Sequence, residues 1–109
     1  MKVTVDDENA PAGGVRVAPD GVRWEMWGEV DAAVQRRVTD LLGDHLRRTG
    51  DETLTVEMSR VTFIDSGGLR LLYTAAETKP TPPVLVGAPD RVVDLLRISG
   101  VDGLFVLTD

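Results

Sequence analysis

The sequence predicts one α/β domain in the order ββαβαβαβ, with a mixed, mostly parallel sheet and helices packed against it. Three observations carry that expectation. Stretches rich in β-branched and apolar residues alternate with stretches whose apolar residues recur at helical spacing. A Pro19-Asp20-Gly21 turn joins the first two strands and makes them antiparallel, whereas the later strands are separated by helices that let them cross over and pair in parallel. Finally, Phe63-Ile64-Asp65-Ser66-Gly67-Gly68-Leu69 runs from an apolar strand through a glycine-flanked serine into a helix. In an open α/β sheet such a corner lies at the carboxyl edge of the strands, where sites collect.

Met1 to Gly14 is acidic and rich in small residues and reads as a flexible lead-in, with Val3 to Val5 the candidate for a short strand; residues 15–109 form the domain. Val15 to Ala18 is the first strand and Val22 to Val30 the second. In the second, Val22, Trp24, Met26, Gly28 and Val30 share one face and Arg23, Glu25, Trp27 and Glu29 the other. Trp27 is the exception on its polar face, and packing over arginine stems or a neighbouring strand is the plainer reading than a partner contact.

Asp31 suits the N-cap of a first helix whose apolar face is Val34, Val38, Leu41, Leu42, His45 and Leu46. Arg47, Arg48 and Gly50 suit its end, and Gly43 within it marks a close approach to the sheet. Thr53 to Ile64 is the third strand. After Ser66, Leu69, Leu72, Tyr73 and Ala76 fall at i, i+3, i+4 and i+7 and predict the inward face of a second helix. That helix stops near Lys79, where prolines follow. Val84 to Val86 is a short strand, and Pro89-Asp90 opens a third helix with a broad apolar face of Val92, Val93, Leu95, Leu96 and Ile98. Leu104 to Leu107 closes the chain as a strand.

At 109 residues the chain suffices for one core and not two. No apolar run approaches the ~20 residues that span a bilayer, and the N-terminus lacks the basic and apolar regions of a secretory signal. The absence of cysteine removes disulfide and thiolate chemistry and fits a cytoplasmic protein. A net charge of −6 argues against direct nucleic-acid binding, which needs surplus lysine and arginine. No membrane partner is expected, and a monomer or weak dimer suits the chain.

Four chemistries can be weighed at the Ser66 corner. A serine hydrolase would want a Gly-x-Ser-x-Gly elbow, but Ile64 stands two residues before Ser66, and the one histidine, His45, falls on the apolar stripe of the first helix. Asp31 and Asp65 both follow strands and could approach one cation, yet two hard oxygen ligands are too few, and capping a helix explains each. Gly67-Gly68 matches no nucleotide-binding spacing. No catalytic residue, metal or cofactor is therefore assigned. The glycines instead strip bulk from around Ser66, so that another protein's active site can reach its hydroxyl.

Asp65-Ser66-Gly67-Gly68-Leu69 after an apolar strand resembles the Asp-Ser-x-Gly-Leu signature of STAS domains of the anti-sigma factor antagonist family. Gly28-Glu29-Val30-Asp31, Val61-Thr62-Phe63-Ile64 and Ser99-Gly100 resemble further family segments in the same order, and the similarity covers about Val15 to Leu107. It implies a non-enzymatic, cytoplasmic phosphoprotein that regulates transcription by partner switching. The implied partner is an anti-sigma factor that is also a serine kinase, and the implied phosphoacceptor is Ser66. Docking would use the carboxyl edge and the adjoining helix face, so the expected contacts are Asp31, Asp65, Ser66, Gly67, Gly68, Arg70 and Thr74. Gly67 departs from the serine or threonine that the family often carries there. The alternative is a STAS adaptor in a signalling or transport complex without a sigma factor; a serine hydrolase is the remote one.

Overall fold

The computed structural model describes residues 12–109, so the candidate strand at Val3 to Val5 lies outside the described residues. The elements are β1 (Gly13–Val17), β2 (Arg23–Val30), α1 (Ala32–Arg48), β3 (Thr55–Ile64), α2 (Ser66–Thr78), β4 (Val84–Val86), α3 (Asp90–Ile98), a 3₁₀ turn (Asp102–Leu104) and β5 (Val106–Thr108). They build a five-stranded sheet of order β1-β2-β3-β4-β5, antiparallel between β1 and β2 and parallel elsewhere. This is the expected α/β architecture. Several boundaries differ from the sequence reading, and β2 and β3 start one and two residues later, at Arg23 and Thr55. β1 already begins at Gly13, and the predicted last strand is divided, because Leu104 ends the 3₁₀ turn before β5 starts at Val106.

The first hairpin is held by local chemistry. Gly21 N–H donates to the Ala18 carbonyl at 2.8 Å and Ala18 N–H to the Arg23 carbonyl at 2.8 Å. The Asp20 carboxylate accepts from Val22 N–H at 3.0 Å and from Arg23 Nε at 2.7 Å, and the Arg23 hydrogen bond holds its pKa below the ordinary value. Along β2 the alternation is as expected at Trp24, Met26 and Val30, which are buried, whereas Val22 precedes the strand and is exposed. Gly28 sits at an irregularity between β2 and β3 with φ +63°, and a β-carbon there would strike the Ala12 carbonyl oxygen, so only glycine fits. Trp27 lies across Gly14, whose added β-carbon would come within 2.7 Å of the indole, and shares a surface pocket with Arg16 and Arg60. The packing role accounts for it.

One continuous buried cluster joins the sheet to all three helices, with Trp24, Met58, Leu72, Leu85 and Leu96 fully enclosed. His45 belongs to it. Trp24 Nε1 donates to His45 Nδ1 at 3.0 Å, and because indole can only donate, the ring hydrogen is on Nε2, which donates to the Gly21 carbonyl at 2.8 Å. The imidazole thereby ties α1 to the strand beneath it and to the hairpin turn. Lys79 is also buried, a feature that the sequence reading treated only as a helix end. Its Nζ donates to Thr49 Oγ1 at 2.6 Å and to the Gly50 carbonyl at 2.8 Å, so the cation satisfies groups at the C-terminus of α1.

Four expectations about helix faces need correction. On α1, Leu41 is 52% exposed and not part of the buried face, which is Val34, Leu42, His45 and Leu46. A β-carbon on Gly43 would meet only Arg47 Nη1 at 3.7 Å, so this glycine marks no close approach to the sheet. The inward stripe of α2 is Gly68, Leu71, Leu72 and Ala75, each one residue before its predicted counterpart, so that only Leu72 is common to both; Tyr73 faces out and Leu69 is half-buried. On α3 only Val92 and Leu96 are buried, and Ile98 is 83% exposed, because the short helix offers the sheet a narrow face.

Candidate functional site

β2 and β3 run in parallel and end side by side, with Val30 paired to Ile64. Each strand hands the chain to a helix through an aspartate, so two helix N-termini stand next to each other at the carboxyl edge of the sheet. Asp31 caps α1 by accepting from Val34 N–H at 3.0 Å. Asp65 caps α2 by accepting from Gly67 N–H at 2.7 Å and Gly68 N–H at 3.3 Å through Oδ1. Such caps satisfy amides that the helix itself leaves unpaired. Both carboxylates are therefore occupied as cap acceptors, and among the described residues no group of three or more metal-ligating side chains gathers.

Ser66 is the first residue of α2 and is exposed. Around it lies an open groove of about 220 Å³ lined by Leu69, Arg70, Tyr73 and Val101. Beyond it, Phe63 is 45% exposed and borders a second shallow groove with Leu95 and Ile98. The sequence reading missed Leu69, Tyr73, Val101 and Ile98 as site surface. An overlapping apolar stripe on α2 was the signal that could have exposed the first two.

Gly67 and Gly68 are buried, which corrects the reading that they clear space around the hydroxyl. A β-carbon on Gly67 would fall 2.5 Å from Ala32 Cα and 2.7 Å from Ala32 N, and one on Gly68 would strike the Val30 carbonyl and lie 2.5 Å from Ile64 Cγ1. They let the two helix starts close together, and the exposed side chains lie above them. Arg70 and Thr74 are exposed and form the rim of a groove between α1 and α2, opposite Gln35 and Thr39. The structure thus gathers Asp65, Ser66, Arg70 and Thr74 on or beside one helix and sets Asp31 next to its start. His45 has both ring nitrogens engaged in the core and cannot serve Ser66 as a base.

A family model described as Mlab, STAS domain, matches residues 14–108. The chain belongs to the STAS domain family. As a STAS domain it is a binding module and not an enzyme. Its fold is similar to that of the Bacillus cell-fate determinant SpoIIAA in the phosphorylated form, with a TM-score of 0.64 and 13% identity over 90% of this chain and 92% of that one. It is also similar to a candidate anti-sigma factor antagonist from Thermotoga maritima, with a TM-score of 0.67 and 16% identity over 87% of this chain and 84% of that one. No curated protein sequence matches it. Among the described residues, no helix of this STAS domain is long and apolar enough to cross a membrane.

Proposed function

We propose that this STAS domain is an anti-sigma factor antagonist that works in the cytoplasm by partner switching. It binds an anti-sigma factor serine kinase as a monomer or weak dimer, and phosphorylation of Ser66 ends the binding. The observation that carries the reading is the placement of Ser66, an exposed hydroxyl at the start of α2, bordered by the partly open apolar residues Leu69 and Tyr73 and by Arg70. The likeness to phosphorylated SpoIIAA and to the Thermotoga protein supports it. In the transfer, Ser66 Oγ bonds to the γ-phosphorus of ATP held by the kinase, the bond to ADP breaks, and the hydroxyl proton passes to the kinase.

Docking uses Ser66, Arg70 and Thr74 with the capped edge at Asp31 and Asp65, while Gly67 and Gly68 shape that edge from beneath. A phosphoserine carries about −1.5 to −2 charge. Added beside Asp65 on a surface that must be covered, it would cost several kcal/mol to desolvate unpaired. At about 1.4 kcal/mol per tenfold, that abolishes a micromolar complex.

A pull-down from the native host with intact-mass analysis tests the reading. Unmodified protein and Ser66→Ala should recover a serine kinase and Ser66→Asp should not, and of the two that bind only Ser66→Ala should resist phosphorylation by the purified kinase. Phosphorylation of Ser66→Ala at the same stoichiometry would overturn the site. The matching family model is named for Mlab, which favours a second reading, an adaptor in a transport or signalling complex without a sigma factor. Recovery of an ATPase or transporter subunit with no kinase would select it.

A further inference from the structure

Ser66 and Arg70 are four residues apart on α2, both exposed, and line the same open groove. Residues at that separation are neighbours on a helix surface, and an acid four residues before a base is the favourable orientation. Two of the amides that would ordinarily receive an anion at this helix start are taken by the cap. Gly67 and Gly68 N–H donate to the Asp65 carboxylate, and Leu69 N–H donates to the Asp65 carbonyl at 2.9 Å. Among the described residues Arg70 has no ion pair, whereas Arg47 and Arg48 on α1 are both paired with Asp44. Arg70 also stands on the ridge between two grooves, the one at Ser66 and the one between α1 and α2 rimmed by Gln35, Thr39 and Thr74.

We infer that Arg70 is the intramolecular receptor of a phosphate on Ser66. Its guanidinium fork matches phosphate oxygens in a bidentate pair, and among the residues that line the groove with Ser66 it is the one cation. On phosphorylation the guanidinium swings to the Ser66 side and leaves the rim of the α1–α2 groove. The modification then alters the docking face twice, by adding an anion and by withdrawing a cation from where a partner would meet it. This inference rests on the reading of Ser66 as a phosphoacceptor.

The test encodes phosphoserine at position 66 of the full chain and follows its second ionisation by phosphorus NMR, in otherwise unchanged protein and in Arg70→Gln and Arg70→Lys. The ionisation should occur about 0.3 to 1 pH unit lower with Arg70 than with glutamine, with lysine between them. Raising the salt to about 1 M should close the gap. Coincident titrations of the Arg70 and Arg70→Gln proteins would overturn the inference. Because the phosphate is encoded and not added by an enzyme, this result is independent of any kinase. A partner that binds the phosphorylated and plain chains equally would instead sink the switching function, whatever Arg70 does.

Discussion

Gly67 packs so closely against Ala32 that a β-carbon on it would lie 2.5 Å from the Ala32 α-carbon. The starts of α1 and α2 meet at this point, and the two aspartate caps are held side by side because of it. Replacing Gly67 by serine should force the helix starts apart. We expect Gly67→Ser to lower stability by about 1–3 kcal/mol, the range for overpacking a closed core, as read by urea melts. An unchanged midpoint would show that the helices yield freely.

The caps themselves should be unequal. Asp65→Ala frees two amides and Asp31→Ala frees one, so the first should cost more within the range of about 0.5–2 kcal/mol per cap. Equal losses would mean that the longer bond to Gly68, at 3.3 Å, contributes nothing.

His45 bridges Trp24 and Gly21 from inside the core. His45→Ala leaves a buried indole N–H and a carbonyl without partners and opens a void, and should cost about 2–4 kcal/mol. Thermal unfolding followed by Trp fluorescence would report it. A loss below about 0.5 kcal/mol, the size of an ordinary surface substitution, would remove His45 from the framework.

Gly43 occupies a helix interior with room for a methyl group. Gly43→Ala should therefore raise stability by about 0.5–1 kcal/mol, the usual difference in helix propensity. The same substitution narrows the groove between α1 and α2. A stabilised variant that also loses partner affinity would place that groove in the interface.

Asp20 should titrate below its ordinary value of 3.8 in the folded protein, chiefly because Arg23 donates to it. Its folded pKa is the depressed one, so the ion pair favours folding above the unfolded value and loses its effect as pH falls through the folded value. Carboxyl carbon NMR should show the titration move upward in Arg23→Ala. No movement would remove the arginine as the cause.

Element order, both aspartate caps, the first hairpin and the serine corner were legible in the sequence because their chemistry is local. Asp31 and Asp65 cap residues two or three positions away, and Pro19-Asp20-Gly21 turns the chain on itself. The phase of α2 was not legible. Two overlapping sets share helical spacing, Leu69, Leu72, Tyr73, Ala76 and Gly68, Leu71, Leu72, Ala75, and apolarity alone favours the first. The tertiary structure selects the second, since only glycine can lie beneath the Val30 carbonyl and against Ala32, residues far away in the chain. That rotation turns Leu69 and Tyr73 toward the groove beside Ser66. In the same way Lys79 and His45 acquired their roles from Gly50, Trp24 and Gly21, partners that no periodicity along one segment could name. The sequence by itself determined the domain, its family signature and where the serine stands; packing between distant segments decided which side chains surround that serine, because burial is settled by what comes to lie opposite a residue.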